Sequence, residues 1–434
     1  MSQILKSIVC VMAFVVTASW LPGAFAQSLL ITGARVLAPT GDRLLEGRVV
    51  LMRDGRIVEI APGATYDKPA DASVIDASGL TLIPGLIDLH THLLLHPYDE
   101  ASWNDQVLRE SLALRTARAV AQAKATLYAG FTTIRELGTE GAGFADVGLR
   151  DAIAQGIVPG PRILAATKAI VATGAYGPAG FDPRWTGTMP KGAQMADGVA
   201  GVRKAARQQI AAGADWVKVY ADYRRRPGDP STPTFSLDEL KAIVDEATSA
   251  GLPVAAHAST NEAIRRAVLA GVKTIEHGYE ASSDVLKLMR DHGVALCPTL
   301  AASEAVARYG GWTPDKPDDP RIAQAKALMQ RALASGVIIA NGSDAGVFSH
   351  GDNAHEIELL VDYGMTPAQA LAAATSVAAG VLGESDSRGK VAAGYIADLV
   401  LLEGNPLEDI HALRNVQLVF KNGAVVHDAR HMRK

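Results

Sequence analysis

Cysteine is almost missing from this 434-residue chain, which holds two, Cys10 and Cys297. Cys10 falls in an N-terminal stretch expected to be removed, and the single thiol left cannot close an intrachain disulfide even in an oxidising compartment. Neither sign of charge is in surplus. With 42 Lys and Arg against 46 Asp and Glu, the formal net charge is −4 and the pI near 6.3. Arg224, Arg225 and Arg226 make the only basic cluster. Such a chain offers no field for a polyanion, and no nucleic-acid partner is expected. There is no internal repeat or low-complexity tract, no Ser–His pairing and no phosphate-binding glycine loop. Hydrophobic residues at 48% and charged ones at 20% exclude disorder and a multi-span membrane protein.

No apolar run reaches the roughly 20 residues that a membrane span needs. The run Ile8 to Leu21 is too short to be read as an anchor, and Ala24-Phe25-Ala26 follows it before Gln27. This is the pattern of a secretory signal peptide over residues 1–26, cleaved after Ala26. A periplasmic or secreted protein, free of the membrane after cleavage, is expected.

The remaining chain reads as one large core with a small accessory module. Leu29 to Val36 and Arg48 to Ile60 are expected as short strands, broken at Gly41-Asp42 and Asp54-Gly55. Gly394 to Leu402 and Val416 to Asn422 read likewise, with a hairpin at Asn422-Gly423. The two ends (27–83 and 388–434) are expected to build one β-sandwich. Between them, over 84–387, apolar runs alternate with segments of helical period, the pattern of βα units around a parallel sheet. The runs are Ile83–His92, Thr132–Leu137, Arg162–Thr167, Trp216–Tyr220, Pro253–His257, Thr274–His277, Val294–Pro298 and Val337–Asn341. Eight such units close a (β/α)8 TIM barrel, an α/β fold. Ser236 with Glu239, and Thr366 with Pro367 and Gln369, are expected to cap helices, and Gly130, Gly251 and Gly380 to stop them. The longest connections, about 170–198, 221–235 and 301–320, follow strand C-termini, where a barrel places its active site.

The chemistry-bearing residues collect at those same ends. His90 and His92, two apart on a strand, point to one face. Lys218 lies in the fourth run, His257 ends the fifth, His277 ends the sixth, and Asp344 follows the eighth. A lone His-x-His is a weak signal, but five runs that each deliver a ligand-type group to one rim are not. A buried lysine in an apolar strand needs a partner or a changed charge state. Metals such as zinc accept imidazole and carboxylate together, and water in an open position becomes a hydrolytic nucleophile. Tyr220 shares the face of Lys218 and could donate to an oxyanion, with Tyr223 its competitor. His350 in the last loop, and Arg225 with its neighbours and Arg184 on the long rim loops, are candidates to touch substrate, the arginines through a carboxylate. His355 is expected near a helix start. His96, His292, His411, His427 and His431 show no ligand spacing, and Cys297 is expected to pack in the core.

These residues, with Pro84-Gly85-Leu86-Ile87-Asp88-Leu89-His90-Thr91-His92, Trp216-Val217-Lys218-Val219-Tyr220, Ile275-Glu276-His277-Gly278 and Asn341-Gly342-Ser343-Asp344-Ala345-Gly346, resemble the binuclear subtype of the amidohydrolase superfamily. Within it the match is to the imidazolonepropionase-related branch and its secreted Xaa-Pro dipeptidase-like members, over nearly the whole mature chain. The resemblance implies two divalent ions, zinc by preference, and a Lys218 carboxylated by carbon dioxide to bridge them. It implies that His90, His92 and Asp344 hold one ion, that His257 and His277 hold the other, and that a bridging hydroxide attacks the substrate. Asp344 would carry the proton to the leaving nitrogen. The expected activity is hydrolysis of a small-molecule amide, an Xaa-Pro dipeptide or an N-acyl amino acid. Alternatives are a cyclic amide as in imidazolonepropionase, a lactone, ester or phosphotriester on the same site, and, in another class, a non-catalytic binding protein. Small molecules are the expected partners, and a homo-oligomer is left open.

Overall fold

The strand signals at the two chain ends resolve into two sheets of shared parentage. The computed structural model describes residues 28–185, 187–226 and 228–431, so the expected signal peptide lies outside the described residues. One sheet has four strands, all N-terminal: Ser28–Thr32, Arg48–Arg53, Arg56–Pro62 and Ala72–Asp76. The other has six and mixes the ends, because Leu80–Pro84 pairs antiparallel with Leu399–Glu403 and parallel with Arg35–Leu37. Ile31, Val50, Met52 and Ile57 of the first sheet share a buried cluster with Val36, Leu82, Leu399, Leu401, Leu418 and Phe420 of the second. Asn422 and Gly423, at φ +50° and +72°, make the expected two-residue hairpin turn between Val416–Lys421 and Ala424–Asp428.

The expected first run, Ile83–His92, is two strands rather than one. Leu80–Pro84 belongs to the outer sheet and Leu86–Thr91 opens the barrel, the chain crossing over at Gly85, whose N–H donates to the Asp398 carbonyl. Barrel strands two to seven are Phe131–Glu136, Arg162–Ala165, Val217–Tyr220, Val254–Ala258, Thr274–His277 and Ala295–Cys297. Adjacent pairs are parallel, with one interruption. Strand three reaches strand four through the separate segment Ile170–Val171, which pairs with Val219 after the chain turns at Thr167, φ +60°.

The eighth run closes the ring by bridges rather than a continuous ladder. Ile339 pairs with Leu296 and Ala345 with Thr91, and the Asp344 N–H donates to the His90 carbonyl at 2.7 Å. Left-handed Asp344, φ +62°, prevents regular pleating there.

Both expected capping boxes form, at Ser236/Glu239 and Thr366/Gln369. Gly130 and Gly251 follow helices with positive φ, but Gly380 lies inside the helix Ser376–Val381 and Gly383 takes the turn beyond it. The expected loop 301–320 is half helix, Leu300–Tyr309, because Leu300, Ala301, Ala302 and Ala305 bury an apolar face. The 221–235 connection holds a hairpin, Asp222–Arg224 with Ser231–Pro233. No helix among the described residues is long and apolar enough to cross a membrane.

Candidate metal centre

Strand parity decides which side chains reach the barrel mouth. In strand four, Val217 and Val219 join the outer core while Lys218 and Tyr220 lie on the other face. In strand five, His257 is the register partner of Tyr220, and their rings stack 4.5 Å apart at 14°. In strand one, Ile87 and Leu89 share a buried cluster with Trp216 and Ala255, so regular alternation would turn His90 away; the register shifts between Asp88 and Thr91, and His90 reaches the mouth within that irregularity. His92 follows just past the strand end.

Strand six breaks the rule in a useful way. Thr274 and Glu276 share the inward face, which alternation would deny to His277, but His277 has φ +74° and turns back over the mouth. Asp344 reaches the same place by the same left-handed step. Glu140, Thr167, Tyr176, His277, Thr299 and Asp344 all have positive φ in or beside loops that leave barrel strands. Strain of that kind concentrates where side chains must be aimed. Gly346, at φ +118°, is required for a different reason: a Cβ there would lie 2.6 Å from the His92 carbonyl oxygen.

The six expected ligand residues converge. Ligand atoms of His90, His277 and Asp344 lie within 4.8 Å of one another. Asp344 Oδ1 is 3.6 Å from His90 Nε2 and 3.2 Å from His92 Nε2. The His257 and His277 rings are 4.5 Å apart and the His90 and His277 rings 5.2 Å. Lys218 is fully buried, and its Nζ has no hydrogen-bond partner.

The far side of three of the four rings is held by a hydrogen bond. His90 Nδ1 faces Glu276 Oε2 at 2.9 Å, His92 Nδ1 the Gly138 carbonyl at 2.9 Å, and His277 Nδ1 the Thr299 hydroxyl at 2.7 Å. His257 instead turns Nε2 towards Asp222 Oδ1, 3.6 Å away.

Burial governs the electrostatics. It lowers the His257 imidazole to about 3, with help from the Lys218 charge, and holds His90 and His277 well below their ordinary value. These rings are therefore neutral, the form in which imidazole binds metal. Burial likewise lowers the Lys218 ammonium to about 8 against the pull of Glu276 and Asp344. At His92 burial is outweighed by the hydrogen bond to Asp344 and the charge of Glu140, which raise it to about 9. Burial works to raise Asp344, but the His90 and His92 imidazoles keep its carboxyl low. The space between Asp344 and His92 thus attracts a cation, whether proton or metal.

The other expected residues are spread around this centre. Tyr220, 5% exposed, forms a wall with Tyr223 and with Tyr176, whose ring is 4.4 Å away. His350 turns Nε2 to the carbonyls of His92 and Leu95, at 3.2 and 3.3 Å, and so braces the first ligand segment. Arg225 is exposed at the lip of a separate cavity of about 280 Å³ that it shares with Arg226, Phe181, Met189 and Met195. Arg184 is paired with Asp182. His355 stands in the first turn of helix Ala354–Asp362, as expected, and Cys297 is buried.

Sequence reasoning missed several contributors. Tyr176 donates to Glu140 Oε2 at 2.5 Å, an oxygen also reached by Trp103 Nε1 at 2.9 Å. Asp88, beneath His90, accepts from Ser343 and Asn353 and clamps strand one to the last loop. Arg135 and Glu276 meet inside the barrel at 2.8 Å. Glu276 stands beside His277 in the sequence, and with His277 placed at the mouth regular strand alternation assigns Glu276 the other face.

Comparison with known proteins places the chain in a family. The profile of the amidohydrolase family matches residues 81–426. Ochratoxinase of Aspergillus niger is 33% identical over 364 residues, covering 78% of this chain and 73% of the relative. A prolidase solved with N-methylphosphonate-L-proline superposes with a TM-score of 0.80 at 33% identity, over 92% of this chain and 100% of that one. A Xaa-Pro dipeptidase with bound methionine gives 0.81 at 30% identity, over the same two shares.

Proposed function

The chain belongs to the amidohydrolase family, and on that premise we propose that it is an exported enzyme that hydrolyses the amide bond of Xaa-Pro dipeptides or N-acyl amino acids. Family membership makes it a metal-dependent hydrolase acting on carbon–nitrogen bonds. The observation that carries the reading is the convergence of His90, His92, Lys218, His257, His277 and Asp344 on one barrel mouth, with the Lys218 amine buried and unpartnered.

That donor set fits two divalent ions. Imidazoles and one carboxylate suit zinc, and an orphaned buried amine is relieved if it takes up carbon dioxide, loses a proton and becomes a carbamate. We assign His90, His92 and Asp344 to one ion, His257 and His277 to the other, and carboxylated Lys218 to both. When bound, the ions polarise the scissile carbonyl and acidify water. Asp344 takes the nucleophile's proton and delivers it to the leaving nitrogen. Tyr220 donates to the developing oxyanion, with Tyr223 beside it. Arg225 lines a cavity separate from the metal centre, so the substrate carboxylate is not assigned to it, and His350 holds the His92–Leu95 turn.

A panel of dipeptides and N-acyl amino acids tests the assignment. Xaa-Pro or N-acyl substrates should turn over, chelation should abolish the activity, and zinc should restore it. Full activity in metal-free protein would end the reading, and cleavage confined to cyclic amides, lactones or esters would replace the substrate class.

A further inference from the structure

The metal ligands differ in what stands behind them. His92 and His277 rest their outer nitrogens on uncharged acceptors, a carbonyl and a hydroxyl, and His257 stands 3.6 Å from Asp222 Oδ1, beyond hydrogen-bond reach. His90 rests on a carboxylate, Glu276, with both side chains buried to 1% exposure or less. An ionised carboxylate can only accept, so the ring hydrogen sits on Nδ1 and the Nε2 lone pair faces the mouth.

Glu276 would be expensive there alone. Its other oxygen takes Arg135 Nη2 at 2.8 Å and the Thr274 hydroxyl at 2.5 Å. Arg135 is itself fixed, donating from Nε to the Leu89 carbonyl at 2.6 Å and lying 4.3 Å over the Trp216 ring. A fully buried ion pair of this kind is a poor source of stability, since well-packed apolar residues of similar volume do as well or better. Its presence inside the barrel therefore asks for another purpose.

We propose that Glu276, neutralised from behind by Arg135, is the positioning residue that fixes the tautomer and orientation of His90 and makes it the most strongly donating of the histidine ligands. The inference rests on the metal-centre reading above. A carboxylate behind a ligating imidazole raises its basicity, and loss of such a partner commonly weakens metal binding about ten- to a hundred-fold. Arg135 cancels the added charge, so the centre gains a stronger donor without an extra net anion beside the Lys218 carbamate.

The experiment is zinc competition with a chelating dye on the full exported chain, comparing wild type, Glu276→Gln and the double variant Glu276→Gln/Arg135→Met, with far-ultraviolet dichroism to certify folding. The double variant removes both buried charges together, so it keeps the test open if the single variant does not fold. One of the two zinc ions should bind about ten- to a hundred-fold more weakly in the folded variants, with the other unchanged. In parallel, 15N-histidine NMR of the metal-free wild type should show His90 protonated at Nδ1. Wild-type affinity for both ions in a folded variant, or a His90 protonated at Nε2, would overturn the proposal. A wild type that holds no zinc would overturn the metal-centre reading instead, while the tautomer would still be readable.

Discussion

The proposed mechanism gives Asp344 two capacities at once, as ligand and as proton carrier, and a single isosteric change separates them. Asp344→Asn keeps an oxygen near His90 and His92, now 3.6 and 3.2 Å from Oδ1, but it cannot accept and return a proton. Turnover should fall by about a hundred- to ten-thousand-fold, the usual worth of a general acid–base group, while the fold and part of the metal survive. Steady-state kinetics and metal analysis on one preparation check this, and near-normal kcat would show that another group moves the proton. Lys218 allows a sharper test. An ammonium beside two dications would be repelled where a carbamate is attracted. Lys218→Ala should lose the bridge, most of the metal and the activity. Acetate or propionate should restore part of the rate in a saturable way by filling the vacated space. A variant that keeps both metals and full turnover without added acid would reduce Lys218 to a core residue.

At the scale of the element, strand ends matter more than strands. The helix Ala354–Asp362, which follows the last barrel loop, is tied to its neighbours by charge. His355 sits between Glu304 Oε1 at 3.2 Å and Glu358 Oε2 at 3.1 Å, and Glu358 also takes Arg414 of the turn Ile410–Arg414 at 2.5 Å. Burial opposes the charged forms. The two carboxylates nonetheless raise His355 from 6.5 to about 9, and the bonds from His355 and Arg414 lower Glu358 from 4.5 to about 2. A raised imidazole stabilises fully below its unfolded value and loses that contribution as pH climbs through its folded one. A depressed carboxylate stabilises above its unfolded value and loses its contribution as pH falls through its folded one. Stability from this cluster should therefore be greatest between pH 4.5 and 6.5 and decline towards pH 9. His355→Gln should cost about 1.5–3 kcal/mol at pH 6, from lost bonds to charged partners, and much less above pH 9. Denaturant unfolding at both pH values measures this, and an equal deficit at the two would dissociate the cluster from His355 titration.

For the molecule as a whole, the described chain begins in one outer sheet and ends just past a strand of the other. The native exported protein should begin at Gln27, after Ala24-Phe25-Ala26. N-terminal sequencing of material from the periplasm or medium checks it, and an intact Met1 on a cytoplasmic protein would refute export. The same distribution explains how one barrel can vary its substrate. The six proposed ligand residues come from the barrel strands and their immediate ends, whereas Tyr176, Tyr223 and Arg225 stand on the connections that follow strands three and four. Loops can change there while the ligand frame stays.

Period and spacing along the sequence determined the barrel, the shared outer sheets and the placing of six candidate residues at strand ends, because a parallel strand buried on both faces needs a continuous apolar run and a polar group at its end interrupts that run visibly. The capping boxes were legible for the same reason, being local chemistry. Only the tertiary structure decided which polar groups stand behind the ligands. Glu276 faces inward with Thr274 because His277, not Glu276, leaves the strand's alternation at positive φ. Arg135 finds Glu276 across 141 residues, and Glu140 gathers Trp103 from the start of the helix Trp103–Arg109 and Tyr176 from a loop. The eighth strand, expected as a run like the others, closes through bridges because left-handed Asp344 must turn its carboxylate towards His90 and His92. Those outcomes depend on distances between segments far apart in the chain, and no local pattern encodes them.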